Sequence, residues 1–84
     1  MEKKLIGQIS HYYGKLGVAV VDLTDIMKVG DKISIEGPST NLEQVVDSLQ
    51  IEHKNVQAAK KGQSIGMKVA GTVREKDNVY RVVG

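Results

Sequence analysis

A period of two governs most of the chain. It is clearest at Lys32-Ile33-Ser34-Ile35-Glu36, where the isoleucines take one side and Lys32, Ser34 and Glu36 the other. That alternation predicts a strand with Ile33 and Ile35 in the core and the polar residues in water. The preceding run, Val18 to Leu23, is apolar at every position but Asp22. A strand covered on both faces has this character. Between the two runs, Lys28-Val29-Gly30-Asp31 predicts a tight turn in which Gly30 takes a positive φ. Asp31 is read there as a turn-stabilising carboxylate that bonds backbone amides two residues on. Gly37-Pro38 ends the second strand, because Pro38 has no amide hydrogen for a ladder. The stretch from Gly17 to Gly37 is therefore the frame for the rest.

The same reading extends to both sides. Residues 3–13 predict a first strand with Leu5 and Ile9 inward, and Gly7 marks a bulge or a close backbone approach. Gly14-Lys15-Leu16-Gly17 has the length of a hairpin turn. Thr24 to Met27 suit a single helical turn capped by Thr24, with Ile26 and Met27 plugging one end of the core. Pro38 to Asn41 have loop chemistry. Residues 42–53 match two periods. Leu42, Val45, Val46 and Leu49 suit a helix, whereas Val45, Leu49 and Ile51 suit a strand. The β-branched company favours a strand over 44–52. Residues 55–62 form a connection with room for a helical turn at Val56 to Lys60, closed by Gly62. Ser64 to Val69 and Val79 to Val83 are further strands, separated by the charged turn Arg74 to Asn78. The expected core includes Val21, Ile33, Ile35, Leu49, Ile51, Ile65 and Met67. Six short strands leave bare edges unless the sheet closes. The expected fold is all-β, a six-stranded closed antiparallel barrel over residues 1–84 as one domain.

Composition narrows this picture. The 84 residues include no Phe, Trp or Cys and three Tyr, so small aliphatic side chains must fill the core. The absence of cysteine excludes disulfides and thiolate metal sites and suits a reducing compartment. The N-terminal Met1-Glu2-Lys3-Lys4 is not followed by an apolar h-region, and no run reaches the length of a membrane span. A cytoplasmic protein without membrane contact is expected. Twelve basic residues against ten acidic ones give a net charge of +2, which permits a nucleic-acid partner without requiring one.

A family likeness is carried by several pieces in order. They are Gly17-Val18-Ala19-Val20-Val21, then Lys28-Val29-Gly30-Asp31-Lys32-Ile33, then Gly37. Val46 to Ile51, Ala59, Gly62-Gln63-Ser64-Ile65-Gly66-Met67 and Asp77-Asn78-Val79-Tyr80 follow. The series resembles the second domain of translational GTPases, the β-barrel beside the GTPase domain of elongation factor Tu and its relatives. There a G-x-V-V strand, a K-V-G-D-x-[IV] turn, an S-[LM]-x-[IV] strand and a G-x-x-[IV]-G loop recur in this order. Ser10-His11-Tyr12-Tyr13 and the segment Ser48 to Lys54 look more like a subgroup. It comprises the freestanding translation elongation factor-like proteins and the C-terminal barrel of some collagenase-like peptidases. The resemblance implies a translation-factor ancestry and contact with RNA, such as a tRNA end or ribosomal RNA. No G-x-x-x-x-G-K-[ST] loop is present, so binding of a nucleoside triphosphate is not carried over.

Candidate chemistry is sparse. His11 and His53 are the two histidines, and a metal or acid–base site would need a third group such as Glu52 or Asp47. The plainer reading places both on the surface. Tyr13 is a stacking candidate for a base. Lys54, Lys60, Lys61 and Lys68 are candidates for phosphate contacts, which Arg74 and Arg81 would extend. Ser48 has no nucleophile-elbow glycines around it. No cofactor is called for. The expected function is a non-enzymatic binding module contacting RNA or a ribosome-associated partner. The alternative is a protein–protein docking module for a separately encoded enzyme such as a collagenase-like peptidase.

Overall fold

A computed structural model describes residues 2–83. Among them the strands are β1 (Glu2–Tyr13), β2 (Val18–Leu23), β3 (Met27–Lys28), β4 (Lys32–Gly37), β5 (Thr40–Val45), β6 (Leu49–Ile51), β7 (Lys54–Val56), β8 (Ala58–Ala59), β9 (Ser64–Lys68) and β10 (Asn78–Val83). No described residue is helical, so neither expected helical turn forms. Eight strands make one antiparallel sheet in the order β5-β4-β10-β1-β2-β9-β6-β7, and β3 pairs with β8 in a separate ribbon.

The all-β class holds, but the six-stranded closed barrel does not: β5 and β7 remain the two edges of the large sheet. The reason lies where one strand over 44–52 was expected. After Val45 the chain leaves the ladder, and Val46 turns inward to 1% exposure. There its amide donates to the Asp31 carbonyl at 2.9 Å, and its carbonyl accepts from the Gly30 amide at 2.8 Å. Those bonds tie Val46 to the β3–β4 turn, so β5 and β6 are separate strands on opposite sides of the sheet order. The gap beside β5 is spanned by one side chain. Gln44 donates through Nε2 to the Lys68 carbonyl and accepts through Oε1 from the Ala70 amide, both at 2.8 Å.

Alternation decides most of the packing. Val21, Ile33, Ile35 and Leu49 are fully buried, Ile65 and Met67 nearly so, and Ile51 is half-buried against the same cluster. Two readings shift. On β1 the inward residue is Ile6, not Leu5: Leu5 is 48% exposed and Ile6 is fully buried. The register explains it. Leu5 pairs with Tyr80 and Gly7 with Val79, so Ile6 is the extra residue of a bulge. Its carbonyl accepts from Thr24 and Asp25 amides, which replaces the expected Thr24 cap. Of the proposed plug, Met27 is buried and Ile26 is 41% exposed. Gly30 does take a positive φ of 97°. The Asp31 carboxylate accepts from the Lys28 amide, three residues back rather than two on.

Ser34 was expected in water and is fully buried. It stands opposite Tyr80 on β10, and its hydroxyl donates to the Glu36 carboxylate at 2.8 Å. Lys3 bonds the same carboxylate from β1. The Lys3 ammonium first, and the Ser34 hydroxyl second, hold the Glu36 carboxyl below its ordinary range. Lys4, then the Ile26 amide, do the same for Asp25. A depressed native pKa stabilises fully above the ordinary carboxylate value and is lost as pH falls through the native one. Thermal midpoints should therefore hold steady down to about pH 4 and fall below it. Glu36→Gln should make the acid limb shallower. An unchanged acid limb would mean that Glu36 gains nothing from Lys3.

Candidate functional site

The outward faces of β2, β9 and β6 meet at a glycine. On β2, Ala19, Val21 and Leu23 point inward, which leaves Val18 and Val20 outside and half-covered. On β9 Ile65 and Met67 point inward, which leaves Ser64, Gly66 and Lys68 outside. Gly66 pairs with Val20 on one side and Gln50 on the other. With no side chain at its centre, this face is hollow. Its walls come from two hairpin ends: Tyr13 and Leu16 from β1–β2, Glu52 and His53 from β6–β7. The cavity they enclose is about 560 Å³ and opens to solvent. A second hollow of about 90 Å³ shares Val18, Gln50 and Gly66 and runs on to Ser48 and Lys68.

The groove is more apolar at its rim than water would favour. Leu16 is 68% exposed and Tyr13 48% exposed, both at one wall. The opposite wall is strained. Glu52 and His53 carry φ values of 51° and 66° in the two-residue link between Ile51 and Lys54. That turn favours Asn-Gly, and larger L-residues take it at a cost of about 1–2 kcal/mol each. Asp22 lies just beyond, where it accepts from the Ser64 hydroxyl at 2.6 Å.

The proposed site residues fall in different places. Tyr13 lines the groove and its ring stands 4.3 Å from that of His11. Lys68 closes the far end of the groove, paired across from Val18. Lys54 starts β7 beside the strained turn. Lys60 and Lys61 sit in the turn before β9, where Gly62 donates to the Leu23 carbonyl. Lys68 lies at the other end of β9, about 13 Å away along the strand. The structure therefore brings Tyr13 and Lys68 to one groove and leaves Lys60 and Lys61 at the opposite strand end. His11 faces the Glu75 carboxylate at 3.3 Å, and His53 is at the hairpin tip. No group of three metal-ligating side chains occurs among the described residues. Leu16, Val20, Gln50 and Gly66 were not singled out from the sequence. The available signal was Leu16, an apolar residue inside a glycine-bounded turn.

The same fold occurs in a solved domain of a putative peptidase. The structure superposes on the C-terminal domain of a putative U32 peptidase from Geobacillus thermoleovorans with a TM-score of 0.90. The match covers 95% of this chain and 93% of that one at 22% identity. No family model matches the chain. Among curated proteins, it is 46% identical over 76 residues to an uncharacterized protease of Methanocaldococcus jannaschii, covering 89% of this chain and 19% of that protein. It is also 35% identical over 82 residues to a collagenase of Porphyromonas gingivalis, covering 95% of this chain and 23% of that protein. The chain thus spans about a fifth of the length of the curated relatives it matches. These relatives carry the collagenase-like half of the resemblance read from the sequence. They do not carry the translational-GTPase half.

Proposed function

We propose that the chain is a non-catalytic docking module of the collagenase-like peptidases, bound to a larger peptidase part. The observation that supports this most is one of proportion. Nearly the whole chain matches about a fifth of a protein named as a protease, and most of that protein's length lies outside the match. The fold match to a peptidase C-terminal domain points the same way. The RNA reading leaned on a lysine cluster, and Lys60 and Lys61 lie away from Lys68 and Tyr13.

The test uses the Methanocaldococcus jannaschii protease with its matching segment deleted. Added in trans, this chain should bind that remainder with a Kd of about 1 μM, near −8 kcal/mol. The chain alone should cleave neither casein nor gelatin. Absence of a complex at a chain concentration of about 100 μM would overturn the docking reading. Peptide cleavage by the purified chain would overturn its non-catalytic part.

A further inference from the structure

We infer that the groove over Gly66 is the docking surface, and that its occupant is an extended segment of the partner peptidase carrying apolar side chains interspersed with Asp or Glu. This rests on the docking reading above.

Shape and charge support the choice together. The groove crosses β2, β9 and β6 instead of ending in a closed pocket, and a second hollow continues it past Gly66. An elongated apolar channel of this kind suits a chain segment more than a compact ligand. Its floor and one wall, from Val18, Val20, Leu16 and Tyr13, would take alternate apolar side chains of an extended peptide.

The charges around it are unspent. The ion pairs of the described residues are Lys3–Glu36, Lys4–Asp25, His11–Glu75 and Lys32–Glu43, and only the His11–Glu75 pair comes near the groove, through the His11 ring beside Tyr13. Lys15 adjoins Leu16, Lys54 adjoins His53, and Lys68 closes the far end. All three are exposed, and none makes an ion pair among the described residues. Two acids flank it, Glu52 at the rim and Asp47 beside Ser48 and Lys68, and Asp22 is engaged with Ser64. Three cations against two carboxylates leave a positive excess, which favours an acidic partner and steers it in at low salt.

Gly66 supplies a clean probe. A Cβ there meets Val18 Cγ1 at 3.7 Å, an ordinary contact. Gly66→Leu therefore keeps the strand, and its side chain fills the channel. The ligand is a synthetic peptide of about ten residues alternating valine and glutamate, about 33 Å when extended. That length crosses a molecule whose longest dimension is 32 Å. Fluorescence anisotropy should show saturable binding that weakens as salt rises. Gly66→Leu should weaken it at least tenfold without lowering Tm. The triple change Lys15→Glu, Lys54→Glu, Lys68→Glu should also weaken it at least tenfold. Arg74→Glu with Lys76→Glu, away from the groove, should leave it unchanged. Equal or tighter binding of the valine–lysine counterpart, of a proline-rich peptide or of tRNA would overturn the acidic chemistry. Affinity untouched by Gly66→Leu would overturn the location. The peptidase remainder separates the two levels. If it docks equally well to Gly66→Leu, the docking reading stands and the groove is wrong. If the acidic peptide binds the groove but the remainder does not dock, the docking reading fails instead.

Discussion

Gly37→Ala should destabilise the fold by about 1–3 kcal/mol, the range for overpacking a filled site, and Asp77→Ala should remove most of that loss. The two residues are far apart in sequence and touch in space. A Cβ on Gly37 meets Asp77 Oδ1 at 2.0 Å and its carboxyl carbon at 2.7 Å. The carboxylate cannot swing away cheaply. Asp77 is 2% exposed, and its Oδ2 accepts from the Arg74 amide at 2.8 Å. Its main chain is pinned as well: the Asp77 carbonyl accepts from the Ile9 amide at 2.8 Å. Displacing the carboxylate would leave the Arg74 amide unpaired, at about 1–3 kcal/mol. Asp77→Ala alone should cost a similar amount for that reason. In its presence the two nearest atoms are gone, and the new methyl on residue 37 meets the Cβ of residue 77 at 3.5 Å. Gly37→Ala should then cost less than about 0.5 kcal/mol, the level of a surface change. Urea melts of the four proteins give the coupling, and a value above about 1 kcal/mol is expected for residues sharing one site. Simple additivity would show that the carboxylate does not fill the space over Gly37.

Ile6→Ala should cost about 2–5 kcal/mol and Leu5→Ala less than about 0.5 kcal/mol. The contrast tests the bulge. Ile6 is fully buried in the cluster that holds Ile35, Met27 and Val79, so truncation removes buried methyls and leaves a cavity. Leu5 keeps about half its surface in water. In a small domain each kcal/mol moves Tm by about 4–8 °C, so the two variants should separate clearly by calorimetry. Equal losses would mean that β1 pairs in a register without the bulge.

These two cases also mark how far the sequence could be followed. Strict alternation at Ile33 and Ile35, and at Ile65 and Met67, placed β4 and β9 and their inward faces correctly, because a period of two leaves no second choice. On β1 the pattern offered Leu5, Ile6 and Ile9, and alternation alone selected Leu5. The extra residue that reverses this choice depends on β10, some 70 positions later. Ser34 looked solvent-facing because nothing local shows that Tyr80 and Glu36 cover it. The break between β5 and β6 came from Val46 bonding to the β3–β4 turn, a contact that no periodicity records. Asp77 sat in a run of charged residues that read as surface. The groove was the least legible feature. It is made by an absence, the missing side chain of Gly66, flanked by hairpin ends that only the folded sheet brings together.

The Gln44 clasp gives the molecule a seam. Along β1, the first half is laddered to β10 and the second half to β2, and separating them means dismantling the sheet. Beside β5, where Leu42 also lies against Gly71, the polar joining is done by two hydrogen bonds of one amide side chain. They are worth about 0.5–1.5 kcal/mol each, well below the cost of global unfolding. The protein can therefore breathe along this line while its core stays packed. The Ala70 amide, sheltered by a side chain, would open long before the Ile9 amide, sheltered by buried backbone. A pull applied through β5 would part the seam first and leave the groove side intact, so strain entering from one edge need not reach the other.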